Sequence, residues 1–445
     1  MNSADLGRRV GVPSTALFTD QYELTMVQAA LKAGTAHRRS VFEAFTRRLP
    51  EGRRYGVVAG TGRVLDAVEN FHFDDEMIAF LRQQRIVDEP TLEWLAGYRF
   101  SGDIWGYPEG EVYFPGSPIL RVEGSFAECV LLETVILSIL NHDSAIAAAA
   151  SRMSAAAGGR RLIEMGARRT HELSAVASAR AAYVGGFDAT SDLAAGFRYG
   201  IPTVGTSAHA FTLLHDTERD AFRAQVDSLG RGTTLLVDTY DVTEAVRAAV
   251  EIAGPELGAV RIDSGDLLLV AHRVRQQLDE LGATGTKIVV TSDLDEYAIA
   301  SLAAAPVDAY GVGTQLVTGS GHPTCSMVYK LVARAAGPAG ADADAPLVPV
   351  AKKSMGAKSS VGGRKWAARR ADEQGVAEAE VLGTGEVPAE LAGRELLVEL
   401  VRGGVVVARE PLEAARERHV LARGRLPMSA MQLSRGEPVL STEYV

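Results

Sequence analysis

The stretch "GAVRIDSGDLLLVAHRVRQQLDELG", residues 258–282, contains a short apolar run, a polar cluster and a longer helical pattern. The run at 258–262 is too short for a helix and continuous enough for a strand that is buried on both faces. The helical pattern after the polar cluster ends at Gly282, and glycine is preferred just after a helix. The stretch therefore predicts one βα unit with polar side chains at the carboxyl end of its strand.

The same pattern recurs between residues 160 and 320, and successive runs begin about 20 to 30 residues apart, the length of a βα unit. The other six runs are "LIEMGARR" (162–169), "AAYVGGFDATSD" (181–192), "IPTVGTSAHA" (201–210), "TTLLVDTYD" (233–241), "KIVVTSDLDE" (287–296) and "AYGVGTQLV" (309–317). Repeated βα units close into a barrel or form an open doubly wound sheet. Because polar or glycine residues follow every run, the pattern favours a barrel, and a count of seven predicts an irregular one.

The flanking sequence predicts a second domain. Residues 1–126 mix helical and strand patterns, and residues 127–157 form one long, mostly apolar helical pattern. A chain of 445 residues is also long for a single core. We therefore predict an irregular seven-stranded α/β barrel over 127–346, packed on a mixed α/β domain made of 1–126 and about 347–445.

Composition and charge exclude several classes of protein. The hydrophobic and charged fractions, 47% and 23%, are those of a soluble globular protein. A net charge of −10 argues against a general nucleic-acid binder, whereas small phosphorylated ligands need only backbone amides and a few cations. Cys129 and Cys325 cannot build a disulfide framework, and no secretory signal or membrane-spanning run is visible. We expect a cytoplasmic protein.

The polar cluster of the opening stretch contains Arg261 and Asp263, which lie two apart and therefore on the same face of the predicted strand. The guanidinium fork of arginine suits a carboxylate or a phosphate. A neighbouring carboxylate can hold Mg²⁺, a ribose hydroxyl or the arginine itself. An isolated Arg-x-Asp is more often a structural ion pair, so both interpretations stay open at this point.

Other strand ends offer similar choices. The turn at Gly311, Gly313 and Thr314 follows the last run, where barrels often bind phosphate through glycine amides, although it could be a plain tight turn. Ser292 and Asp293 could start a capped helix or form a ligand loop.

His209 lies among small residues in "GTSAHAF" (205–211), and a single histidine near a strand end is more often structural than catalytic. No metal-ligand spacing or Ser-His-Asp pattern accompanies it. A functional role for His209 is favoured because the polar residues at the other strand ends are expected at the same edge of the fold.

Taken together and in order, seven motifs resemble nicotinate phosphoribosyltransferase, with the spacing of its shorter bacterial members. They are "TDQYELTM" (19–26), "FEAFTRRLP" (42–50), "AAYVGGFDATSDLAAG" (181–196), "GTSAHAF" (205–211), "RIDSGDL" (261–267), "GVGTQLVT" (311–318) and "KKSMGAKSSVGGRK" (352–365). The resemblance runs from about residue 15 to about residue 370.

The resemblance implies a reaction and a fold. In that family, nicotinate attacks C1 of phosphoribosyl pyrophosphate and gives nicotinate mononucleotide and pyrophosphate, a step of NAD biosynthesis. The reaction is of the ligase type, because ATP hydrolysis is coupled to it through a transient phosphohistidine. The family fold is an irregular, type II phosphoribosyltransferase-like α/β barrel on a mixed domain. Its dimers share active sites, ATP is a co-substrate and Mg²⁺ is the expected cofactor.

The resemblance also assigns roles around nicotinate. His209 matches the phosphorylated histidine, and Thr206 matches a nicotinate-site position on the same turn. Arg261 matches the residue that meets the carboxylate of nicotinate. Tyr22 matches the aromatic residue that covers the pyridine ring, contributed by the N-terminal domain of the other subunit.

Further roles concern phosphoribosyl pyrophosphate and the metal. Asp263 resembles the carboxylate near the ribose and Mg²⁺, which makes it the second expected catalytic residue beside His209. The positions that resemble phosphate or ribose contacts are Arg168, Ser292, Asp293, Gly311, Gly313 and Thr314.

One departure leaves the substrate partly open. The family often has Thr-Ser-Asn where this chain has Thr190-Ser191-Asp192, and an acid there resembles relatives that use nicotinamide. A nicotinamide preference is therefore a second hypothesis. A non-catalytic protein that binds a phosphorylated metabolite is a third, and the presence of His209 and Arg261 argues against it.

Overall fold

The computed structural model describes residues 13–337, 345–352, 360–388 and 393–445. Residues 353–359, which belong to the motif at 352–365, lie outside the described residues.

Helices and strands alternate along most of the described chain. The α-helices are α1 (Gln21–Lys32), α2 (Thr61–Glu69), α3 (Asp75–Gln83), α4 (Glu89–Ala96), α5 (Phe126–Val130), α6 (Glu133–Ala157), α7 (Glu172–Val184), α8 (Leu193–Tyr199), α9 (His209–Leu214), α10 (Glu218–Leu229), α11 (Val242–Ala253), α12 (Leu267–Glu280), α13 (Glu296–Ser301), α14 (Thr314–Val317) and α15 (Leu412–Gly424). The strands are β1 (Arg39–Thr46), β2 (Gly56–Val57), β3 (Asp103–Gly106), β4 (Val112–Tyr113), β5 (Leu120–Ser125), β6 (Arg161–Glu164), β7 (Ala189–Thr190), β8 (Thr234–Leu236), β9 (Ala259–Ile262), β10 (Lys287–Ser292), β11 (Ala309–Val312), β12 (Met327–Ala335), β13 (Leu347–Pro349), β14 (Lys365–Ala371), β15 (Ala377–Thr384), β16 (Arg394–Glu395), β17 (Val398–Arg402), β18 (Val405–Val406) and β19 (Ser441–Tyr444). Short 3₁₀ helices cover Ala16–Phe18, Ala167–Arg169 and Met428–Met431.

The chain divides into two units. The first unit comprises Met1–Ala148 and His322–Val445, and the second comprises Ala149–Gly321. The sequence prediction put the boundaries at 126/127 and 346/347 instead. The second boundary falls earlier because β12 pairs antiparallel with β1 and so belongs to the first unit.

The first unit is built on an antiparallel sheet of order β13-β12-β1-β5-β3-β17-β18. Seven of the eight residues of β1 are buried, which places this strand at the centre of the core. A four-stranded sheet of order β16-β14-β15-β19 and the pair β2-β4 complete the described strands of this unit.

The long apolar stretch predicted at 127–157 forms two helices, α5 and α6, separated at residues 131–132. Ser125 and Glu128 form a capping box that starts α5. By length and composition alone, Phe126–Ala157 could cross a membrane, but 67% of its most apolar window is buried inside the fold. Burial of that kind is typical of a core helix.

The second unit contains a parallel sheet of order β7-β6-β11-β10-β9-β8. The last strand along the chain, β11, pairs with the first, β6, with Tyr310 opposite Leu162. This pairing of last with first is the cyclic order that repeated βα units adopt when they curve towards a barrel.

The prediction of a seven-stranded barrel is nevertheless wrong in detail, because the sheet has six strands and is open. The run at 201–210 contributes one isolated bridge, Thr190 to Thr203, instead of a strand. Pro202 lies inside that run and has no N–H for a ladder bond. No pairing joins this segment to β8 in the part of the chain that the structure describes. The fold is a mixed α/β fold with several sheets.

Aspartates are the N-cap residues of several helices that follow strands in the second unit. Asp192, Asp241, Asp266 and Asp295 each accept hydrogen bonds from backbone N–H groups in the first turn of α8, α11, α12 and α13. Such caps fix where a helix begins. Because the strands are parallel, the loops they fix all lie at one edge of the sheet.

Candidate active site

A cavity of about 200 Å³ lies at the carboxyl ends of β6, β9, β10 and β11. Its lining residues are Met165, Arg168, Arg169, Arg261, Asp263, Thr291, Ser292, Asp293, Gly311, Gly313 and Thr314. Eight of the eleven residues predicted from the sequence are among them. The other three predicted residues, Thr206, His209 and Tyr22, do not line the cavity.

Arg261 links the cavity to the loop before α9. It is half-buried at the end of β9, and its Nη1 donates a hydrogen bond to Thr206 Oγ1. Its Nε is buried and has no hydrogen-bond partner among the described residues. Burial lowers the pKa of Arg261, whereas Asp263 and Asp238 raise it. The guanidinium therefore keeps a donor free for an anionic ligand next to the hydroxyl of Thr206.

His209 is the first residue of α9, and its side chain is 41% exposed. Its Nδ1 lies 3.1 Å from Thr239 Oγ1. Its Nε2 lies 4.0 Å from Asp238 Oδ1 and 4.0 Å from Asp263 Oδ2. One ring nitrogen is thus held by a hydroxyl, and the other faces two carboxylates.

Asp238 is a site residue that the sequence analysis missed. Its side chain is 2% exposed, and its Oδ2 accepts hydrogen bonds from the Asp263 N–H (3.0 Å) and from Ser264 Oγ (2.6 Å). Its Oδ1 is buried without a partner in the described part of the chain. A signal existed: Asp238 follows β8 closely, in "LLVD", as Asp263 follows β9 in "VRID".

Asp263 connects β9 to β10, because its Oδ1 accepts a hydrogen bond from Thr291 Oγ1. Among the described residues, no group of three or more His, Cys, Asp or Glu side chains could hold a metal ion. Mg²⁺ commonly uses only one or two carboxylates, together with waters and substrate phosphates. Asp263, with the unpartnered Asp238 Oδ1 nearby, fits that mode of binding and does not fit an all-protein metal site.

Two glycines are required by close packing around the cavity. A Cβ atom on Gly311 would lie 2.6 Å from both Met165 Sδ and Thr291 Cγ2. A Cβ on Gly166 would lie 2.2 Å from Val317 Cγ1. Gly311 therefore has a packing role within β11, whereas Gly313 directly precedes α14 and Thr314 is the first residue of that helix.

Arg168 and Arg169 project as exposed side chains from the 3₁₀ helix Ala167–Arg169 that follows β6. Arg168 lies close enough to Arg261 to lower the pKa of that guanidinium. The sequence analysis missed Arg169, although it directly follows the predicted site residue Arg168 in "ARR" (167–169). Three arginines and two aspartates, Asp263 and Asp293, therefore line the cavity, which leaves it net cationic.

Ser292 has a backbone φ of 143°, a region that residues with side chains rarely adopt. Strain of this kind concentrates at functional sites, where the surrounding structure holds it in place. Ser292 and Asp293 are both exposed to the cavity edge, as the hypothesis of a ligand loop requires.

Asp192 has a structural task. Its Oδ1 accepts hydrogen bonds from the N–H groups of Ala194 (2.8 Å) and Ala195 (3.0 Å) and so caps α8. Nearby Glu164 is 1% exposed and accepts hydrogen bonds from Thr190 Oγ1 and the Gly166 N–H. Burial raises the pKa of Glu164. The capping contacts account for an acid at position 192 without a substrate amide.

Tyr22 belongs to α1 in the first unit, and its side chain is 45% exposed. Burial of its remaining surface, together with Glu133, raises the pKa of the phenol to about 12. Its predicted position over a pyridine ring stays a prediction.

The site can be compared with known proteins. Residues 17–141 match the family described as nicotinate phosphoribosyltransferase (NAPRTase) N-terminal domain. Over 452 aligned residues the chain is 55% identical to nicotinate phosphoribosyltransferase pncB1 of Mycobacterium tuberculosis, with 98% of each chain covered. The chain belongs to the nicotinate phosphoribosyltransferase family. A Bacillus subtilis nicotinate phosphoribosyltransferase is 38% identical over 72% of this chain and 67% of its own length.

Two solved structures have a similar fold. Human nicotinic acid phosphoribosyltransferase superposes with a TM-score of 0.80 at 26% identity, covering 96% of this chain and 97% of its own. A nicotinate-nucleotide pyrophosphorylase from Pyrococcus furiosus gives a TM-score of 0.75 at 23% identity, covering 94% and 98%. At that identity the second likeness concerns the fold alone.

Proposed function

We propose that the protein transfers the 5-phosphoribosyl group of phosphoribosyl pyrophosphate to nicotinate, giving nicotinate mononucleotide and pyrophosphate for NAD synthesis. The observation that carries this proposal is the net cationic cavity in which Arg261, bonded to Thr206, keeps a free donor. Membership of the family supplies the substrate class. We also propose that ATP hydrolysis is coupled to this transfer through a phosphohistidine at His209.

Nicotinate binds through its carboxylate. Arg261 Nε is buried without an acceptor, and a carboxylate satisfies it with a charge-assisted hydrogen bond. Thr206 Oγ1 fixes the guanidinium plane and so sets the direction of the pyridine ring. Recognition of the acid through a half-buried arginine with a buried Nε disfavours the neutral amide, because the amide leaves that charge uncompensated.

Phosphoribosyl pyrophosphate binds through its phosphates. Arg168, Arg169 and the Gly313–Thr314 turn supply cations and backbone amides for the phosphate groups. Ser292 and Asp293 contribute a hydroxyl and a carboxylate for the ribose side of the cavity.

The transfer step builds positive charge on the ribose. The nicotinate nitrogen forms a bond to C1 while the bond from C1 to the pyrophosphate oxygen breaks, and its electron pair leaves with pyrophosphate. We assign stabilisation of that developing charge to Asp263, a carboxylate of the cavity that Thr291 holds in place. When Mg²⁺ is bound, it neutralises the leaving pyrophosphate, and Asp263 is the residue that would hold it.

His209 accepts the γ-phosphoryl group of ATP in this proposal. With the proton on Nδ1 and donated to Thr239 Oγ1, the Nε2 lone pair is free to attack phosphorus as the bond to ADP breaks. Asp238 and Asp263, each 4.0 Å from Nε2, stabilise the positive charge that the ring gains. Water later cleaves the P–N bond and releases phosphate.

We further propose a homodimer with shared active sites, in which Tyr22 comes from the partner chain. Large exposed apolar side chains on α8 and α9 support self-association: Leu193, Phe197, Leu213 and Leu214. Both cysteines are free and buried, which supports the expectation of a reducing cytoplasm.

The test is an assay with nicotinate, phosphoribosyl pyrophosphate, Mg²⁺ and ATP, with nicotinamide as the matched control. We expect mononucleotide from nicotinate, with ATP raising the rate, and a much lower kcat/KM for the amide. Tight binding of phosphoribosyl pyrophosphate without turnover would instead support the non-catalytic hypothesis. A higher kcat/KM for the amide would overturn the choice of substrate.

A further inference from the structure

The first unit contains a second cavity, of about 460 Å³, which shares no residue with the catalytic cavity. Three segments line it: residues 47–53, Pro115 and residues 435–438. We call it the arginine cavity, because Arg47, Arg48, Arg53 and Arg435 are among its lining residues.

The arginine cavity carries an excess of positive charge. Its four arginines face two lining carboxylates, Glu51 and Glu437. Arg435 and Glu51 form an ion pair at 2.8 Å, so these two charges largely offset each other. An excess of two cations remains, in a chain whose net charge is −10. Local cationic charge of this kind attracts and holds anions.

Two of the arginines are withdrawn from water. Arg53 is only 4% exposed, and arginine is rarely buried so completely in proteins. Arg47 is half-buried, and its Nε is buried with no hydrogen-bond partner among the described residues. A buried N–H without an acceptor is costly, and an anion in the cavity would relieve that cost.

The walls of the cavity are tied together before any ligand binds. Arg54 Nη2 donates to Ser434 Oγ (3.2 Å), and the Val439 N–H donates to the Arg54 carbonyl (2.8 Å). A Cβ on Gly436 would lie 2.5 Å from Arg54 Nη2, so glycine lets the guanidinium pack there. Because the segments are joined in this way, binding would cost little ordering of the chain.

We propose that the arginine cavity is a binding site for a polyphosphate group, carried by a nucleotide or free as an inorganic chain. The planar fork of arginine matches phosphate oxygens in pairs, and several forks suit several linked phosphates better than one. The volume exceeds what a single phosphate fills, and Leu49, Pro50 and Pro438 give an apolar wall against which a base can pack.

The test uses the full chain and measures equilibrium binding of ATP and of inorganic tripolyphosphate. Arg48→Ala/Arg435→Ala removes two cavity cations without touching the buried Arg53. The matched control is Arg82→Ala/Arg402→Ala, which removes the same charge at exposed residues of the same unit. Arg48→Lys/Arg435→Lys restores the charge without the planar fork.

We expect the cavity variant to bind one equivalent of ATP per chain fewer than wild type, or to bind it roughly 10- to 100-fold more weakly. The control should bind as wild type, and the lysine variant should recover only part of the affinity. Displacement of ATP by tripolyphosphate would assign recognition to the phosphates. Retention of ATP against tripolyphosphate would assign it to the whole nucleotide.

Equal ATP binding by wild type and the cavity variant would overturn the proposal. So would a raised KM for phosphoribosyl pyrophosphate with no loss of bound ATP, because the arginines would then serve the reaction itself. Binding is measured without turnover, so an inactive enzyme would contradict the proposed function and leave this test intact.

Discussion

His209 is held at one ring nitrogen by Thr239 and faces Asp238 and Asp263 with the other. A hydroxyl partner on Nδ1 fixes the ring plane, and in the tautomer with the proton on Nδ1 it leaves the Nε2 lone pair free. Two carboxylates near Nε2 favour the cationic ring that follows attack on phosphorus. The arrangement is therefore suited to a nucleophilic histidine as well as to a structural one, and substitution distinguishes the two.

We predict that His209→Ala abolishes stimulation by ATP while a slow, ATP-independent transfer remains, because His209 does not line the cavity that we propose for the other substrates. The readout is the rate with and without ATP, together with incorporation of radiolabelled γ-phosphate into the chain. His215→Ala is the matched control, since His215 lies just after the same helix and bonds the Phe211 carbonyl (2.9 Å). Equal ATP stimulation in wild type and His209→Ala would contradict the phosphohistidine.

Arg261 gives the second prediction at this scale. Arg261→Ala should raise the KM for nicotinate by roughly 10- to 100-fold, about 1.5–3 kcal/mol, because a charge-assisted hydrogen bond to the substrate is lost. The KM for ATP should change much less. Arg261→Lys should recover only part of the loss, since a single ammonium cannot bond Thr206 and a carboxylate in one plane.

Parallel rises in both KM values would mean that Arg261 supports the structure through its neighbours Asp263 and Thr206. Thermal unfolding of each variant separates that outcome from a local effect on binding.

At the scale of helices and strands, Asp192 has two explanations: contact with a substrate amide, or capping of α8. We predict that Asp192→Ala lowers the free energy of unfolding by about 1 kcal/mol, because the cap of α8 is lost. Asp192→Asn should keep most of that stability, since asparagine is also a good cap. Denaturant unfolding measures both variants.

The same Asp192→Asn variant should leave the ratio of kcat/KM for nicotinate and nicotinamide unchanged. A marked shift of that ratio towards the acid would show that Asp192 contacts the substrate amide.

The strand ends were predictable from the sequence because each apolar run is followed directly by polar or glycine residues. Parallel pairing then brings Arg261, Thr291 and Gly311 to one edge, whatever the curvature of the sheet. Whether the sheet closes was not predictable in this way. It depends on hydrogen bonds between residues 201–204 and β8, and an apolar run containing Pro202 has the same periodicity with or without them.

Asp238 and Arg169 were missed for a different reason. Each is one polar residue among many near strand ends, and only the folded chain shows which of them share neighbours. The burial of Asp238 and its bond to the Asp263 N–H depend on pairing between β8 and β9, which local sequence does not specify.

At the scale of the whole molecule, a buried acid in the first unit makes stability depend on pH. Burial raises the pKa of Glu23 to about 7, although Thr19 and Thr134 donate hydrogen bonds to its carboxylate. An unfolded chain releases this proton near pH 4.3, so between about pH 4 and pH 7 the folded state binds more protons. The contribution of Glu23 to the free energy of unfolding is therefore complete at low pH and is lost as pH rises through about 7.

We predict that Glu23→Gln removes this dependence. The stability of wild type relative to the variant should fall between pH 5 and pH 8, measured as the difference in urea midpoints. Glu89→Gln is the control: Arg82 lowers the pKa of Glu89, so both the folded and the unfolded chain are ionised there and the difference should stay constant between pH 5 and pH 8. A constant difference between wild type and Glu23→Gln across that range would contradict the shifted pKa.

The crowding around Gly311 has an evolutionary consequence. Because Met165 and Thr291 both lie within contact of the position that a Cβ would take, any single substitution at position 311 meets two neighbours at once. Gly205, in the loop before α9, has open space where a Cβ would lie. In a saturation library selected for growth on nicotinate, substitutions at position 205 should be sterically tolerated, whereas substitutions at position 311 should appear only together with smaller residues at both 165 and 291. The two glycines look alike in the sequence but differ in the number of substitutions that each position tolerates.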